Sequence, residues 1–178
     1  VEEKSDRSPL TLADRRSNEI IESALSETGF PILSEEGKDV SYEERRNWET
    51  FWLIDPLDGT KEFINKNGEF TVNIAYIEDG RPIMGVIYVP VKKELYFGSE
   101  KYGAFKLKDC GSAINNLDKI IDRACKLPAL VWNKESFCVV GSRSHMSEPT
   151  LTFIDKLKKD HSNVKLISRG SSLKLCMI

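Results

Sequence analysis

The sequence predicts a mixed α+β protein with a large, mainly antiparallel sheet and the beginning of a smaller α/β domain. Residues 70–77 and 82–90 are runs rich in β-branched residues, and the Asp-Gly pair between them is a strong signal for a hairpin turn. Two further short strands are expected at 94–97 and 104–107. Strands that follow one another through hairpins form antiparallel sheets, so this stretch is expected to be the scaffold of the fold.

The last part of the chain shows a different order of elements. An apolar strand at 137–141 precedes a helix that Ser147 caps and Pro149 begins, and a strand at 164–167 follows that helix. This order predicts a βαβ unit with a parallel strand pair. The expected domain ranges are 1–135 and 136–178.

The first helix is expected to begin at a capping box. Thr11 can cap it, and Asp14, three residues later, lies near the positive end of the helix dipole. Apolar residues at 20, 21, 24 and 25 mark one face of this helix, and Gly29 is expected to end it. On the residues alone, Asp14 is most simply a capping residue.

Composition and charge exclude several classes of function. The 178 residues are 40% apolar and 30% charged with a net charge of −2, which is a globular composition without a polyanion-binding surface. Four widely spaced cysteines without a C-x-x-C pair argue against a zinc or redox site. Neither a long apolar run nor a hydrophobic signal region is present. We expect a cytoplasmic protein with reduced thiols and no nucleic-acid partner, and the sequence carries no signal for oligomeric state or peripheral membrane association.

The clearest chemical signal is the sequence Asp-Pro-Leu-Asp-Gly-Thr at 55–60. The aromatic and β-branched residues 51–54 predict a buried strand, and Pro56 is expected to end that strand. A turn then brings Asp58 beside Asp55, and two carboxylates on rigid backbone are ligands that Mg²⁺ prefers. The segment also has a simpler interpretation as a surface turn, because it is rich in turn-forming residues.

Backbone groups of the same segment extend the predicted site. The carbonyl of Leu57, left unpaired in such a turn, is a further candidate metal ligand. Gly59 allows the backbone to approach a ligand closely, and a helix that begins at Thr60 would point free N–H groups at an anion. The sequence therefore predicts that a metal ion and a phosphate meet here.

Other polar segments have two interpretations each. The adjacent carboxylates Glu35 and Glu36 are ordinarily a solvated turn, but they gain importance beside a Mg²⁺ site. The loops after the two strands of the βαβ unit carry His145, Ser171 and Lys174, and such loops bind ligands in α/β folds. Together they can hold a phosphorylated ligand, although a surface histidine, a helix cap and a solvated lysine are the simpler interpretations.

The motif at 55–60 is similar to the signature of the inositol monophosphatase superfamily of Mg²⁺-dependent, lithium-sensitive phosphatases. The sequence Thr-Lys-Glu-Phe at 60–63, followed by Asn-Gly-Glu-Phe-Thr-Val-Asn-Ile-Ala at 67–75, resembles its 3'(2'),5'-bisphosphate nucleotidase branch. Inositol monophosphatases usually have Thr-Asn where this chain has Lys-Glu at 61–62. The resemblance extends over residues 8–178.

The resemblance implies a layered αβαβα sandwich of the sugar-phosphatase type and specific roles for single residues. In the family, an Asp in the position of Asp14 pairs with the motif Thr, here Thr60, to activate water. The first Glu of a Ser-Glu-Glu pattern, here Glu35, bridges the metal ions. The implied catalytic residues are Asp14, Glu35 and Thr60, the metal ligands Glu35, Asp55, Leu57 and Asp58, and the substrate-binding residues Leu57, Asp58, Gly59, Thr60, His145, Ser171 and Lys174.

The implied activity is hydrolysis of the 3'-phosphate of 3'-phosphoadenosine 5'-phosphate to AMP and phosphate, a step in sulfate assimilation, with two or three Mg²⁺ ions and inhibition by Li⁺. One alternative is the same chemistry on an inositol phosphate or a sugar bisphosphate. Another is a module that binds metal or nucleotide without turnover. The resemblance also suggests a fragment, because the family has an N-terminal helix and a C-terminal Trp-Asp metal motif that this sequence does not show.

Overall fold

The protein is described by a computed structural model that covers residues 2–3, 9–111, 117–129, 137–143 and 146–177. The strands are β1 (Glu2–Glu3), β2 (Pro9–Leu10), β3 (Ile32–Ser34), β4 (Thr50–Asp58), β5 (Thr71–Glu78), β6 (Arg81–Val89), β7 (Glu94–Ser99), β8 (Gly103–Leu107), β9 (Cys125–Lys126), β10 (Phe137–Ser142) and β11 (Val164–Arg169). The α-helices are α1 (Leu12–Ser26), α2 (Tyr42–Arg45), α3 (Thr60–Ile64), α4 (Leu117–Arg123) and α5 (Glu148–Asp160). Two 3-10 helices span Pro90–Lys92 and Ser172–Met177.

The central feature is a seven-stranded sheet in the order β3-β4-β5-β6-β7-β8-β9. Within it β3 and β4 are parallel, and every other neighbouring pair is antiparallel. The turn between β5 and β6 has positive φ at both Asp79 (49°) and Gly80 (72°), which is what a two-residue hairpin turn requires. The predicted mixed α+β fold with a mainly antiparallel sheet is confirmed, and β9 is an additional strand that the sequence did not indicate.

Strand β4 differs from the prediction at Pro56. The strand does not end there but continues to Asp58, with a bulge between Asp55, which pairs with Asn73, and Asp58, which pairs with Thr71. A proline is tolerated at a bulge because the ladder does not need its missing N–H. The bulge places two carboxylates on one strand end in an irregular backbone, where the sequence predicted a turn.

The second unit has the predicted βαβ order. Strands β10 and β11 are parallel from the Phe137–Val164 pair to the Ser142–Arg169 pair, and α5 has Ser147 as its N-cap with proline in its first turn. The 3-10 helix after β11 returns to the large sheet, where buried Leu173 packs in one cluster with Val89 and Tyr96. This packing anchors the βαβ unit on β6 and β7. The domain boundary at 135/136 stays a prediction.

The cysteines and the helices add two observations. All four cysteines are free thiols. Within the described ranges, no helix has both the length and the apolar character needed to cross a membrane.

Candidate metal and phosphate site

Helix α1 carries Asp14, a buried residue with 1% of its surface exposed. Its Oδ2 accepts hydrogen bonds from the backbone N–H of Thr11 at 2.8 Å and from the Thr11 hydroxyl, which completes the predicted capping box. Its Oδ1 accepts a hydrogen bond from the hydroxyl of Thr60 at 3.2 Å. Because different oxygens make these contacts, the capping role of Asp14 leaves it free to act together with Thr60.

Thr60 is the first residue of α3, which the sequence placed correctly. The preceding Gly59 has φ of 93°, a left-handed conformation that glycine adopts without strain. The Thr60 hydroxyl lies 3.2 Å from Asp14 Oδ1 and 3.5 Å from the carbonyl oxygen of Leu57. Donation of its one proton to Asp14 leaves the lone pairs of the Thr60 oxygen available to a water molecule.

The structure also brings Glu35, Asp55 and Asp58 together. Parallel pairing of β3 with β4 sets Glu35 beside the end of β4, and its N–H donates to the carbonyl of Ile54 at 3.1 Å. Burial, followed by the negative charges of Glu35 and Asp58, raises the pKa of Asp55 to about 7. A hydrogen bond between the Glu35 and Asp55 side chains acts in the same direction. These carboxylates therefore form one electrostatically coupled group.

The donor set fits a hard divalent cation. Three carboxylates and the carbonyl of the buried Leu57 are oxygen ligands of the kind that Mg²⁺ prefers. Mutual repulsion, which contributes to the raised pKa of Asp55, is what a cation would relieve. In the part of the chain that the structure describes, no group of three or more acidic, histidine or cysteine side chains is placed so that it could hold a metal ion. The carboxylates are adjacent, but their side chains are not arranged around a single centre.

Asp58 is held by two residues that the sequence reasoning missed. Its Oδ2 accepts hydrogen bonds from the backbone N–H of Ser172 at 2.5 Å and from Asn73 Nδ2 at 3.4 Å. The Ser172 hydroxyl donates to Asn73 Oδ1 at 2.8 Å, so the three side chains form a small network. In the sequence, only the position of Asn73, an amide within a mainly apolar strand, could have indicated this role.

Helix α1 supports the site at two more positions that were missed. Ser17 donates to the carbonyl of Pro56 at 2.8 Å, and buried Asn18 accepts a hydrogen bond from Ser34, the neighbour of Glu35. Ser17 and Asn18 lie three and four residues after Asp14, which places all three on one helix face. Polar residues at this spacing on a buried face were the available signal.

The predicted substrate contacts have different outcomes. His145 lies outside the described residues. Ser171 is buried, has φ of 50° and accepts a hydrogen bond from the N–H of Leu173 at 3.3 Å. Its Cβ lies 3.1 Å from the place of a Cβ built on Gly59, so it packs against residues 55–62, which we call the metal-site segment because they carry most of the candidate ligands. Lys174 Nζ donates to the Ser171 carbonyl at 2.5 Å. The substrate roles of these residues stay predictions.

A cavity of about 940 Å³ runs along one face of the large sheet and reaches the site at one end. Its polar end is lined by Glu35, Asp55, Asn73 and Ser172. The rest of the lining is mainly apolar, with Leu33, Leu53, Ala75, Gly85, Gly98 and Ala104, and the charged residues Lys38, Asp39 and Arg45 also line the cavity. A mainly apolar lining does not suit a multiply charged phosphate ester, because such a ligand would lose its hydration there. We therefore assign only the polar end to the candidate site.

The sequence is similar to proteins of one known family. The Inositol monophosphatase family model matches residues 1–178. A curated 3'(2'),5'-bisphosphate nucleotidase CysQ of Salmonella typhimurium is 40% identical over 177 residues, which are 98% of this chain and 64% of that protein. The protein of the same name from Buchnera aphidicola is 42% identical over 181 residues, which cover 100% of this chain and 61% of that protein. The chain thus spans less than two thirds of the length of these relatives.

The fold also matches solved structures. The crystal structure of CysQ from Bacteroides thetaiotaomicron, described as a bacterial member of the inositol monophosphatase family, has a TM-score of 0.88 and 52% identity. The match covers 98% of this chain and 65% of that chain. The family model, the relatives and the shared fold all match nearly the whole sequence. This chain therefore belongs to the inositol monophosphatase family.

Proposed function

We propose that this chain carries the metal site of a Mg²⁺-dependent phosphomonoesterase that hydrolyses the 3'-phosphate of 3'-phosphoadenosine 5'-phosphate. The observation that carries the proposal is the contact between the Thr60 hydroxyl and the buried carboxylate of Asp14, next to the coupled group of Glu35, Asp55 and Asp58. A hydroxyl paired with a buried base, beside oxygen ligands for a cation, is suited to activating water against a phosphate ester.

The proposed role of Thr60 and Asp14 is to take a proton from the attacking water. The Thr60 oxygen accepts the water proton while its own proton passes to Asp14 Oδ1, 3.2 Å away. The water oxygen forms a bond with phosphorus as the bond from phosphorus to the 3'-oxygen breaks, and the departing oxygen takes a proton from solvent. The products are AMP and inorganic phosphate.

The carboxylates bind the metal in this proposal. Mg²⁺ held by Glu35, Asp55, Asp58 and the Leu57 carbonyl would offset the charge of the phosphoryl group and lower the pKa of water. Dependence on Mg²⁺ and inhibition by Li⁺ are properties of the family. The N–H groups of Gly59 and Thr60 orient the phosphate, which keeps the reacting group within reach of the Thr60 hydroxyl.

The substrate class rests on the relatives and on one local difference. Relatives at about 40% identity are named 3'(2'),5'-bisphosphate nucleotidases. The chain has Lys61 and Glu62 where inositol monophosphatases usually have Thr-Asn, and Glu62 is buried with 5% of its surface exposed. Because the sequence Thr-Lys-Glu-Phe at 60–63 resembles the nucleotidase branch, this difference supports that branch.

The test is phosphate release by the purified protein with Mg²⁺, comparing 3'-phosphoadenosine 5'-phosphate with inositol 1-phosphate, with and without Li⁺. We expect a lithium-sensitive preference for the nucleotide. A preference for the inositol ester would refute the substrate assignment and keep the metal chemistry. Calorimetric binding of the nucleotide without phosphate release would refute the catalytic proposal.

A further inference from the structure

We propose that Glu69 is a positioning residue that holds the residues directly after both parallel strands of the βαβ unit, Arg143 and Gly170, against the metal-site segment. Glu69 precedes β5 in the large sheet, whereas the two loops follow β10 and β11. The kinetic part of this inference rests on the proposed function, because it assumes that these loops bind the nucleotide.

The contacts of Glu69 reach one residue in each loop. Its Oε2 accepts hydrogen bonds from Arg143 Nε at 3.0 Å and from the backbone N–H of Gly170 at 2.9 Å, and its Oε1 accepts from Arg143 Nη2 at 2.9 Å. Arg143 directly follows β10, and Gly170 directly follows β11. Two parallel hydrogen bonds from a guanidinium to a carboxylate fix orientation as well as distance.

The environment of Glu69 makes these contacts strong. The residue is buried, with 9% exposed, and a second guanidinium, that of Arg169, lies 3.7 Å from Oε1. Burial alone would raise the pKa of Glu69, but the hydrogen bonds from Arg143 and Gly170 and the charges of both arginines lower it. Glu69 is therefore an ionised carboxylate, and both of its oxygens accept hydrogen bonds from Arg143 or Gly170. Its effect on the site is exerted through the positions of these two residues.

Close packing transmits the position of Gly170 to the metal-site segment. A Cβ built on Gly170 would lie 2.4 Å from Cγ of Glu62, a residue of α3. Two residues further on, the N–H of Ser172 donates to Asp58 Oδ2, and Ser171 between them packs over Gly59. The loop after β11 thus lies directly on the metal-site segment. The hydrogen bond from Gly170 to Glu69 fixes the position of the first residue of this loop.

The loop after β10 depends on the same carboxylate. Arg143 also donates to the carbonyl of Ser168 at 3.3 Å, and its N–H donates to the carbonyl of Arg169 at 3.0 Å. It therefore joins the ends of both parallel strands while Glu69 ties it to the large sheet. Loss of the Glu69 charge would loosen Arg143 and Gly170 together, which is the reason to expect an effect on substrate binding. The contact of Ser172 with Asp58 extends a smaller effect to the chemical step.

The test compares Glu69→Gln with Glu78→Gln, which makes the same chemical change at the exposed far end of β5. Amide hydrogen exchange of peptides spanning 137–143 and 169–177 reports on the loops without reference to activity. Kinetics with 3'-phosphoadenosine 5'-phosphate and with phenyl phosphate, which has no base or ribose, report on binding.

For Glu69→Gln we expect exchange in both peptides to be faster by about tenfold, which is the effect expected when a hydrogen bond to a charged group is weakened. KM for the nucleotide should rise by about tenfold and by more than KM for phenyl phosphate, which has no base or ribose. Because Ser172 also contacts Asp58, kcat should fall for both substrates, but by less than the rise in KM for the nucleotide. Glu69→Asp retains the charge and should recover part of the loss. Glu78→Gln should match the unsubstituted protein in every measurement.

Unchanged exchange in both peptides would overturn the proposal, and so would a fall in kcat for both substrates with KM for the nucleotide unchanged. Faster exchange in a protein that does not hydrolyse the nucleotide would support the positioning role and refute the proposed function. If Glu69→Gln does not fold, Arg143→Lys decides, because that side chain is 45% exposed and the substitution keeps its charge but not the two parallel hydrogen bonds. Faster exchange in Arg143→Lys supports the proposal, and unchanged exchange overturns it.

Discussion

Replacing Asp55 with asparagine should make the metal-free protein more stable at neutral pH. Burial and the negative charges of Glu35 and Asp58 raise the pKa of Asp55 to about 7 from its ordinary value of 3.8. An asparagine is neutral at every pH and keeps an oxygen that can accept the hydrogen bond from the N–H of Leu57, now 3.2 Å from Asp55 Oδ1. The substitution therefore removes repulsion without removing that backbone contact.

The sign follows from the direction of the shift. Because the folded protein binds the Asp55 proton more tightly than the unfolded chain, this group stabilises the fold below pH 3.8, and that contribution is lost as the pH rises towards 7. The difference between the two pKa values corresponds to a ceiling of about 4 kcal/mol, at 1.36 kcal/mol per pH unit. Asp55 is only half-buried. Solvent screening therefore reduces the expected gain to about 1–2 kcal/mol at pH 8.

The assay is urea unfolding of both proteins in EDTA at pH 5 and pH 8, repeated with Mg²⁺. We expect the advantage of Asp55→Asn in EDTA to be larger at pH 8 than at pH 5. Added Mg²⁺ should stabilise the unsubstituted protein more than the variant, because a ligand stabilises only the state that binds it. Asp79→Asn, the same change in the exposed β5–β6 turn, is the control and should alter neither comparison.

Two results would refute this reasoning. If Asp55→Asn destabilises the protein by the same amount at both pH values in EDTA, the carboxylate is not repelled by its neighbours. If Mg²⁺ stabilises both proteins equally, Asp55 is not a metal ligand. The first result would remove the argument from repulsion, and the second would leave Glu35, Asp58 and the Leu57 carbonyl as the proposed ligands without Asp55.

Three further predictions concern catalysis, packing and pH. Thr60→Ala should lower kcat by about 10²–10⁴, whereas Thr60→Ser keeps the hydroxyl and should stay within about tenfold in the same phosphate-release assay. Gly170→Ala should destabilise the protein by about 1–3 kcal/mol in urea unfolding because its Cβ would meet Glu62, whereas Gly111→Ala, with open space around it, should change stability by less than about 0.5 kcal/mol. Because the pKa of Glu69 is lowered, its negative charge stabilises the fold at pH values above the ordinary pKa of 4.5. The difference in unfolding free energy between the unsubstituted protein and Glu69→Gln should therefore shrink as the pH falls below 4.5.

The parts of the fold that follow from local patterns were predictable. The capping box of α1 and the Asp-Gly hairpin each depend on residues within a few positions of one another, and the βαβ order follows from three local patterns in succession. The structure shows all three features. Pro56 was misjudged because its effect depends on the partner strand. A proline that ends an isolated strand fits at a bulge, and the bulge exists only because β5 pairs on both sides of it.

The residues of the candidate site also differ in how far local sequence patterns could identify them. Asp55, Asp58 and Thr60 lie in one short motif, so spacing alone could group them, whereas Ser17 and Asn18 support the site through contacts that helix periodicity only suggests. Asp14 could be recognised as a cap from local spacing, but its contact with Thr60, 46 positions away, was available only through resemblance.

The contacts that complete the site are the least local of all. Glu69 meets Gly170 across 101 positions, and Asp58 meets Ser172 across 114. No periodicity or motif spans such distances, because the two segments are brought together only after the βαβ unit has packed on the large sheet. If one oxygen of Asp58 is committed to Ser172, the lone pairs left for a cation depend on that packing. The proposed metal site then depends on both units, although all of its proposed ligands lie in the first.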